Sequence, residues 1–216
     1  MASIVGETKL NTETAAFRAP ASIAELEALA ARLRERNFEP VIVEDAAAAR
    51  AAVLERLPKG SEVHAAKSKT LEDIGVFQEL MESDRYDFLR KRYFKMDRNT
   101  QAREMRKLVA APDIELGSVN AVTEAGQLVE ASASGSQMGP YSASSGKLIL
   151  VVGSQKIVPD LEAAWRRIRE YVTPYEDARL REQMGIGTKL ARVLILEQDF
   201  MPGHTTVILV REPVGR

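Results

Sequence analysis

Glu124 is the residue of this sequence best suited by its type and setting to carry chemistry. It stands in a short turn, residues 123–126 (TEAG), between two apolar stretches. A carboxylate in such a turn can act as a general base or as a nucleophile toward an activated acyl group. The structural alternative is a carboxylate that only accepts hydrogen bonds from turn amides. We predict Glu124 as the catalytic candidate, with Gly126 beside it as a ligand-binding residue.

The segment that follows has the composition of an anion-binding region. Residues 131–159 contain no Asp or Glu but include Lys147 and Lys156. Glycines let a backbone approach a ligand closely, and exposed amides with nearby lysines favour anions. The alternatives are a flexible surface loop and a solvated lysine. The ligand-binding residues predicted in this segment are Gly135, Ser136, Gln137, Gly139 and Lys156.

Ser68 and Thr70 are two further candidates, because they stand where a predicted strand is followed by a helix. Either hydroxyl can cap the helix, and the same free amides can bind an anion. His64, in the preceding apolar strand, fits a hydrogen-bonded core histidine better than a ligand. The spacing of residues 135–139 matches neither a Walker loop nor a dinucleotide fingerprint, so nucleotide binding is not predicted.

Two strand–helix units must position these residues. The first combines a strand at 40–44 with an alanine-rich helix that Asp45 can cap. The second combines a strand at 62–66 with a helix whose apolar face runs from residue 71 to residue 81. Successive units of this kind favour a parallel sheet covered by helices. Right-handed crossovers would then bring the loops after these strands to one sheet edge.

The later elements complete the predicted α/β fold. A buried strand at 148–152 precedes a helix at 160–171, and two alternating strands at 192–198 and 205–210 end the chain. A short Pro-Gly turn joins the last two strands, which predicts that they pair antiparallel. We therefore expect a mainly parallel sheet covered by helices with a C-terminal antiparallel strand pair. Residues 1–20 are predicted to form a flexible arm, and residues 21–216 a single domain.

Composition excludes several classes of function. The 216 residues include no cysteine and two histidines, with a net charge of −1. Disulfides, thiolate catalysis, iron–sulfur clusters and cysteine zinc sites are therefore excluded in this chain. The near-neutral charge argues against nucleic-acid binding, which normally shows a basic excess. The longest apolar run, 148–152, is too short to cross a membrane and the N-terminus does not resemble a signal peptide, so we expect a cytoplasmic protein.

Residues 85–107 form a basic and aromatic region that needs its own interpretation. Arginines interleaved with aromatic rings can bind single-stranded nucleic acid. Four acidic residues between 84 and 107 dilute the positive charge. We favour an amphipathic connector whose aromatic rings pack into the core or onto a second subunit.

The order of several motifs resembles the LUD (lactate utilisation) domain family, in particular its lactate utilisation protein C group. The motifs are residues 68–75 (SKTLEDIG), 123–126 (TEAG), 152–161 (VGSQKIVPDL) and 174–179 (PYEDAR). The resemblance implies a fold of the ribose-5-phosphate isomerase and CoA-transferase type. It also implies a role in oxidising lactate to pyruvate beside iron–sulfur partner subunits. A chain without cysteine would be the cofactor-free component of such a system.

Two functions are therefore expected, with a third left open. The first is a protein that binds a small organic acid, or a phosphorylated or CoA-linked anion, within a lactate-oxidising system. The alternative is a self-sufficient acyl-CoA transferase or sugar-phosphate isomerase-like enzyme that uses Glu124. A regulatory binding module is the third. Neither a cofactor nor a metal is expected, and assembly into a homo-oligomer is left open.

Overall fold

A computed structural model describes residues 14–216, so most of the arm predicted at 1–20 lies outside the described residues. Ten strands are present in this range: β1 (Glu39–Val43), β2 (Glu62–Ala65), β3 (Asp87–Phe88), β4 (Ile114–Gly117), β5 (Ala121–Thr123), β6 (Leu128–Ser132), β7 (Lys147–Gly153), β8 (Ile157–Val158), β9 (Arg192–Leu196) and β10 (Thr205–Val210). The α-helices are Ile23–Glu35, Ala46–Glu55, Lys69–Asp73, Val76–Glu82, Leu89–Tyr93, Ala102–Ala110, Leu161–Arg166 and Thr173–Met184. Short 3-10 helices (Ala15–Arg18, Ser154–Lys156) and π-helical segments (Pro140–Ser144, Arg167–Val172) complete the described elements.

Six strands form a parallel sheet in the order β1-β10-β7-β4-β2-β3. Its central strands β7 and β10 are buried almost throughout, which explains their continuous apolar sequences. One face packs on the helices Ala46–Glu55 and Val76–Glu82, and the other on the helix Ile23–Glu35. The predicted parallel sheet covered by helices is confirmed.

The predicted C-terminal antiparallel pair is wrong. β9 pairs antiparallel with β6 in a second, four-stranded sheet of order β8-β5-β6-β9, whereas β10 lies between β1 and β7. The residues of β10 are all buried, so this strand belongs at the centre of the large sheet. β9 is only half-buried and occupies an edge of the small sheet. The turn between them carries the chain from one sheet to the other.

The predicted helix cap at Asp45 is confirmed, but one predicted helix is divided. Ser22 forms a capping box with Glu25, and Asp45 accepts a hydrogen bond from the Ala48 amide. The helix predicted across residues 71–81 is two helices, because Gly75 adopts a left-handed conformation with φ 73°. No helix within residues 14–216 is long and apolar enough to cross a membrane.

Three neighbouring strands position the candidate site. β2, β4 and β7 lie side by side and run in the same direction, so their carboxyl ends share one sheet edge. The segments that begin after them carry Ser68 and Thr70, then Ser118, then Lys156. Ligands of open parallel sheets commonly bind outside the carboxyl ends of the strands.

Candidate functional site

A cavity of about 580 Å³ opens at this sheet edge. Its volume lies within the range of small-molecule binding sites. Among the described residues that line it, nine carry Lys or Arg side chains and only two, Glu130 and Glu176, are carboxylates. The imbalance of charge favours an anionic ligand.

Lys156 is a buried cationic residue among those that line the cavity. Its side chain is nearly buried, with 3% exposed, and its ammonium donates hydrogen bonds to Thr70 Oγ1 (2.8 Å), Ser118 Oγ (2.8 Å) and the Val119 carbonyl (3.1 Å). Burial lowers the pKa of Lys156 to about 7, and the charge of Arg167 acts in the same direction. One lysine thus joins the segments after three strands and places a titratable charge at the cavity.

Tyr141 fixes the backbone of Ser118 through two hydrogen bonds. The tyrosine hydroxyl donates to the Ser118 carbonyl and accepts from the Ser118 amide, both at 3.0 Å. Ser118 Oγ in turn donates to the Val151 carbonyl at 2.6 Å. Gly117 leaves room for the tyrosine hydroxyl, because a Cβ at this position would collide with it. The strand end that supports Lys156 is therefore fixed by a buried network.

Glu130 brings a carboxyl group into the same cavity. Gln137 Nε2 donates to Glu130 Oε1 at 3.0 Å, and the Gln137 side-chain oxygen accepts from the hydroxyls of Ser132 and Ser136. Burial raises the pKa of Glu130 to about 8, against the opposing effects of the Gln137 hydrogen bond and the Lys156 charge. At neutral pH the protonated form predominates, and that form can donate a hydrogen bond to an anion.

His64 and Glu115 form a buried pair beside the cavity. His64 Nδ1 lies 2.6 Å from Glu115 Oε2, and Glu115 is completely buried. Burial raises the pKa of Glu115 to about 7, although the contact with His64 opposes the rise. His64 itself lines the cavity. Its neighbours there include Tyr93, whose ring centre lies 6.3 Å from that of His64.

Comparison with known proteins identifies the family of this fold. The LUD domain family model matches residues 26–210. The chain belongs to the LUD domain family. A crystal structure at 1.70 Å of a DUF162 family protein from Deinococcus radiodurans is similar, with a TM-score of 0.50. The match covers 88% of this chain and 99% of that chain at 16% identity, so it shows a common fold. No curated protein sequence matches the chain significantly. Family membership supports a lactate-utilisation-type protein.

The LUD domain brings five of the nine predicted site residues together at the cavity. These are Ser68, Thr70, Ser136, Gln137 and Lys156. Ser68 also caps the helix Lys69–Asp73, so the capping alternative holds as well. Gly135 and Gly139 belong to the neighbouring loop but are not among the residues that line the cavity.

Glu124 and Gly126 lie away from the cavity. Glu124 is exposed in the turn between β5 and β6, and its amide donates to the Val158 carbonyl at 2.8 Å. Gly126 lies against Arg36 on the far side of this turn. The catalytic role of Glu124 stays a prediction, and no contact of the cavity supports it.

Several groups that line the cavity were not predicted from the sequence. Ser118 follows β4, a strand that the sequence analysis did not identify, and Glu130 resembles an ordinary polar residue on a short strand. Arg90, Arg98 and Arg106, in the region 85–107, line the cavity apart from the contacts of Lys156, while Tyr86 and Phe88 of the same region are buried in the core. Within the described part of the chain, no group of three or more acidic or histidine side chains could hold a metal ion.

Proposed function

We propose that this protein binds a small organic acid in the cavity, as the cofactor-free component of a system that oxidises lactate to pyruvate. The observation that carries the proposal is the buried Lys156 at the strand ends. No carboxylate among residues 14–216 is hydrogen-bonded to its ammonium. A charge kept in this position is costly to the fold and is available to an incoming anion. Membership of the LUD domain family supports lactate as the substrate class.

The groups around Lys156 suit a 2-hydroxy acid. The lysine charge attracts the carboxylate, and protonated Glu130 can donate a hydrogen bond to it. Oxidation of lactate to pyruvate also removes two electrons and two protons. This chain has no cysteine to hold an iron–sulfur cluster. We therefore propose that an iron–sulfur partner subunit accepts the electrons while this chain binds the acid.

The alternative, a self-sufficient transferase or isomerase based on Glu124, gains no support from the site. That carboxylate is exposed in a turn outside the cavity. Acyl transfer through Glu124 would require a ligand to bind at this separate turn. We therefore do not propose it.

Isothermal titration calorimetry tests the proposed function directly. L-Lactate and pyruvate should bind saturably to the purified chain at neutral pH, and the uncharged analogue lactamide should bind much more weakly. Pull-down of the tagged chain from its native cells should also recover an iron–sulfur protein. Absence of lactate and pyruvate binding, both alone and with that partner present, would rule out the proposal.

The pH dependence of binding provides a second test. An anion favours the protonated forms of Lys156 and Glu130, whose pKa values lie at about 7 and about 8. Binding should therefore take up protons, and lactate affinity should fall by at least about tenfold from pH 6 to pH 9. Titrations in buffers of different ionisation enthalpy measure the proton uptake.

Two variants separate the contributions to this pH profile. Glu130→Gln should keep binding at pH 7 but reduce proton uptake, because an amide does not titrate. Glu124→Gln is the matched control and should reproduce the wild-type profile, since Glu124 lies outside the cavity. A lactate affinity that stays constant from pH 6 to pH 9 would contradict the assigned role of both groups.

A further inference from the structure

A second cationic group lines the cavity apart from Lys156 and its hydrogen-bond partners. It consists of Arg90, Arg98 and Arg106, which belong to or lie between the helices Leu89–Tyr93 and Ala102–Ala110. We call these three residues the arginine subsite. No acidic side chain among residues 14–216 forms an ion pair with any of them. Their charges are therefore left for a ligand.

Arg90 has the features of a preorganised anion-binding group. Its guanidinium lies 4.8 Å from the ring centre of Phe94 and 5.3 Å from that of Phe77, and Nη1 donates to Tyr93 Oη at 2.9 Å. Aromatic rings hold a guanidinium in place without neutralising its charge. The buried Nε atom has no hydrogen-bond partner among the described residues. A donor buried without a partner is costly unless a ligand or water completes it.

The carboxyl group of Glu115, which lies near Tyr93, forms no ion pair with these arginines. Glu115 is completely buried and its hydrogen-bonded partner is His64. Burial raises the pKa of Glu115, which favours its uncharged form. Arg98 and Arg106 are exposed and make no side-chain hydrogen bond within the described part of the chain. This side of the cavity is therefore positive.

The volume of the cavity, like its positive charge, favours a ligand that is larger than lactate and carries more than one anionic group. Its volume of about 580 Å³ lies in the range of sites for drug-sized ligands. A three-carbon acid bound at Lys156 would leave much of this space to water. Because Lys156 and the three arginines line the same cavity, it offers cations for a ligand with a second anionic group.

We infer that Arg90, Arg98 and Arg106 form a second anion subsite that binds a phosphate monoester on the far end of a hydroxy acid ligand. A phosphate monoester carries a charge of about −2 and three acceptor oxygens, which suits several guanidinium groups. The inference rests on the proposed function in one respect: Lys156 binds the carboxylate of the same ligand. It adds that the preferred ligand is phosphorylated.

Titration with D-glycerate and 3-phospho-D-glycerate tests the subsite, because the two acids differ only in the phosphate. The phosphorylated acid should bind at least roughly tenfold more tightly to the wild-type chain. The double variant Arg98→Ala/Arg106→Ala should lose this gain, whereas its affinity for glycerate should change by less than about twofold. Both side chains are exposed, so the variant should fold, and its melting temperature checks this.

Arg103→Ala/Lys107→Ala is the matched control. It removes two positive charges from the same helix, Ala102–Ala110, at positions that do not line the cavity. Affinity for 3-phosphoglycerate should change less than about twofold in this control. If both double variants lost the same affinity for 3-phosphoglycerate, the effect would come from general surface charge, and the arginine subsite would be wrong.

The outcomes separate this inference from the proposed function. If glycerate and lactate bind but the phosphate adds nothing, the arginine subsite is wrong and the proposed function stands. If inorganic phosphate binds in an Arg98- and Arg106-dependent way while lactate and glycerate do not, the subsite stands and the proposed function fails. If none of these probes binds, both are wrong.

Discussion

Lys156→Met should weaken the binding of L-lactate and pyruvate by at least about thirtyfold, which corresponds to about 2 kcal/mol. Methionine keeps much of the length of the lysine side chain and removes its charge. The anion would then lose the cation that attracts it, and Glu130 alone could not replace that interaction. Calorimetry at pH 6.5, where the wild-type lysine is mostly protonated, measures the loss.

The same substitution should not unfold the protein. Burial has lowered the pKa of Lys156, which means that the folded state disfavours the charged form. Replacement by an apolar side chain of similar size relieves that cost, and Thr70 Oγ1 and Ser118 Oγ keep the hydrogen bond to each other. The Val119 carbonyl loses its Lys156 partner, which cancels part of this gain. We expect a melting temperature close to that of the wild type. A loss of binding in a variant of unchanged stability would assign the effect to the site and not to unfolding.

Lys147→Met is the control for this experiment. Lys147 begins the same strand, β7, but its exposed side chain donates to the Gly203 carbonyl at the opposite sheet edge. Lactate affinity should be unchanged in this variant. Wild-type affinity in Lys156→Met itself would remove the basis of the proposed site.

Local patterns account for the parts of the fold that were predictable. The helix cap at Asp45 depends on an amide three positions away, and the apolar run of β7 reflects burial on both faces. The predicted pairing of β9 with β10 failed because the two strands join different sheets. That choice is made by contacts distant in sequence, such as those of β9 with β6, which a turn signal does not contain.

The same distinction applies to the site: some of its residues were recognisable from the neighbouring sequence, and others depend on contacts with residues distant in the sequence. Lys156 and Thr70 were recognisable because each follows an apolar strand, and parallel strands place such segments together. Glu130 was not recognisable, since its raised pKa depends on burial and on Gln137 from a separate loop. Of the cationic residues between 85 and 107, only Arg90, Arg98 and Arg106 line the cavity, because the segment between β3 and β4 places them there. A charge count along the sequence shows their number and not their arrangement.

Gly117→Ala should destabilise the protein by about 2–4 kcal/mol. A Cβ at residue 117 would collide with Tyr141 Oη, which exchanges two hydrogen bonds with the Ser118 backbone. Displacement of the tyrosine would leave those buried groups unpaired and shift Ser118, a partner of Lys156. For a chain of this size the loss corresponds to a fall of roughly 5–15 °C in melting temperature.

Gly139→Ala serves as the control, because a Cβ at that glycine has only ordinary contact with its neighbours and its φ of −62° suits alanine. Its melting temperature should stay within about 2 °C of wild type. Combining Gly117→Ala with Tyr141→Phe should cost less than the sum of the single changes, since removal of the hydroxyl relieves part of the collision. Wild-type stability in Gly117→Ala would show that Tyr141 can move freely. The strand end beneath Lys156 would then not be rigid, and a preorganised anion site there would lose its structural basis.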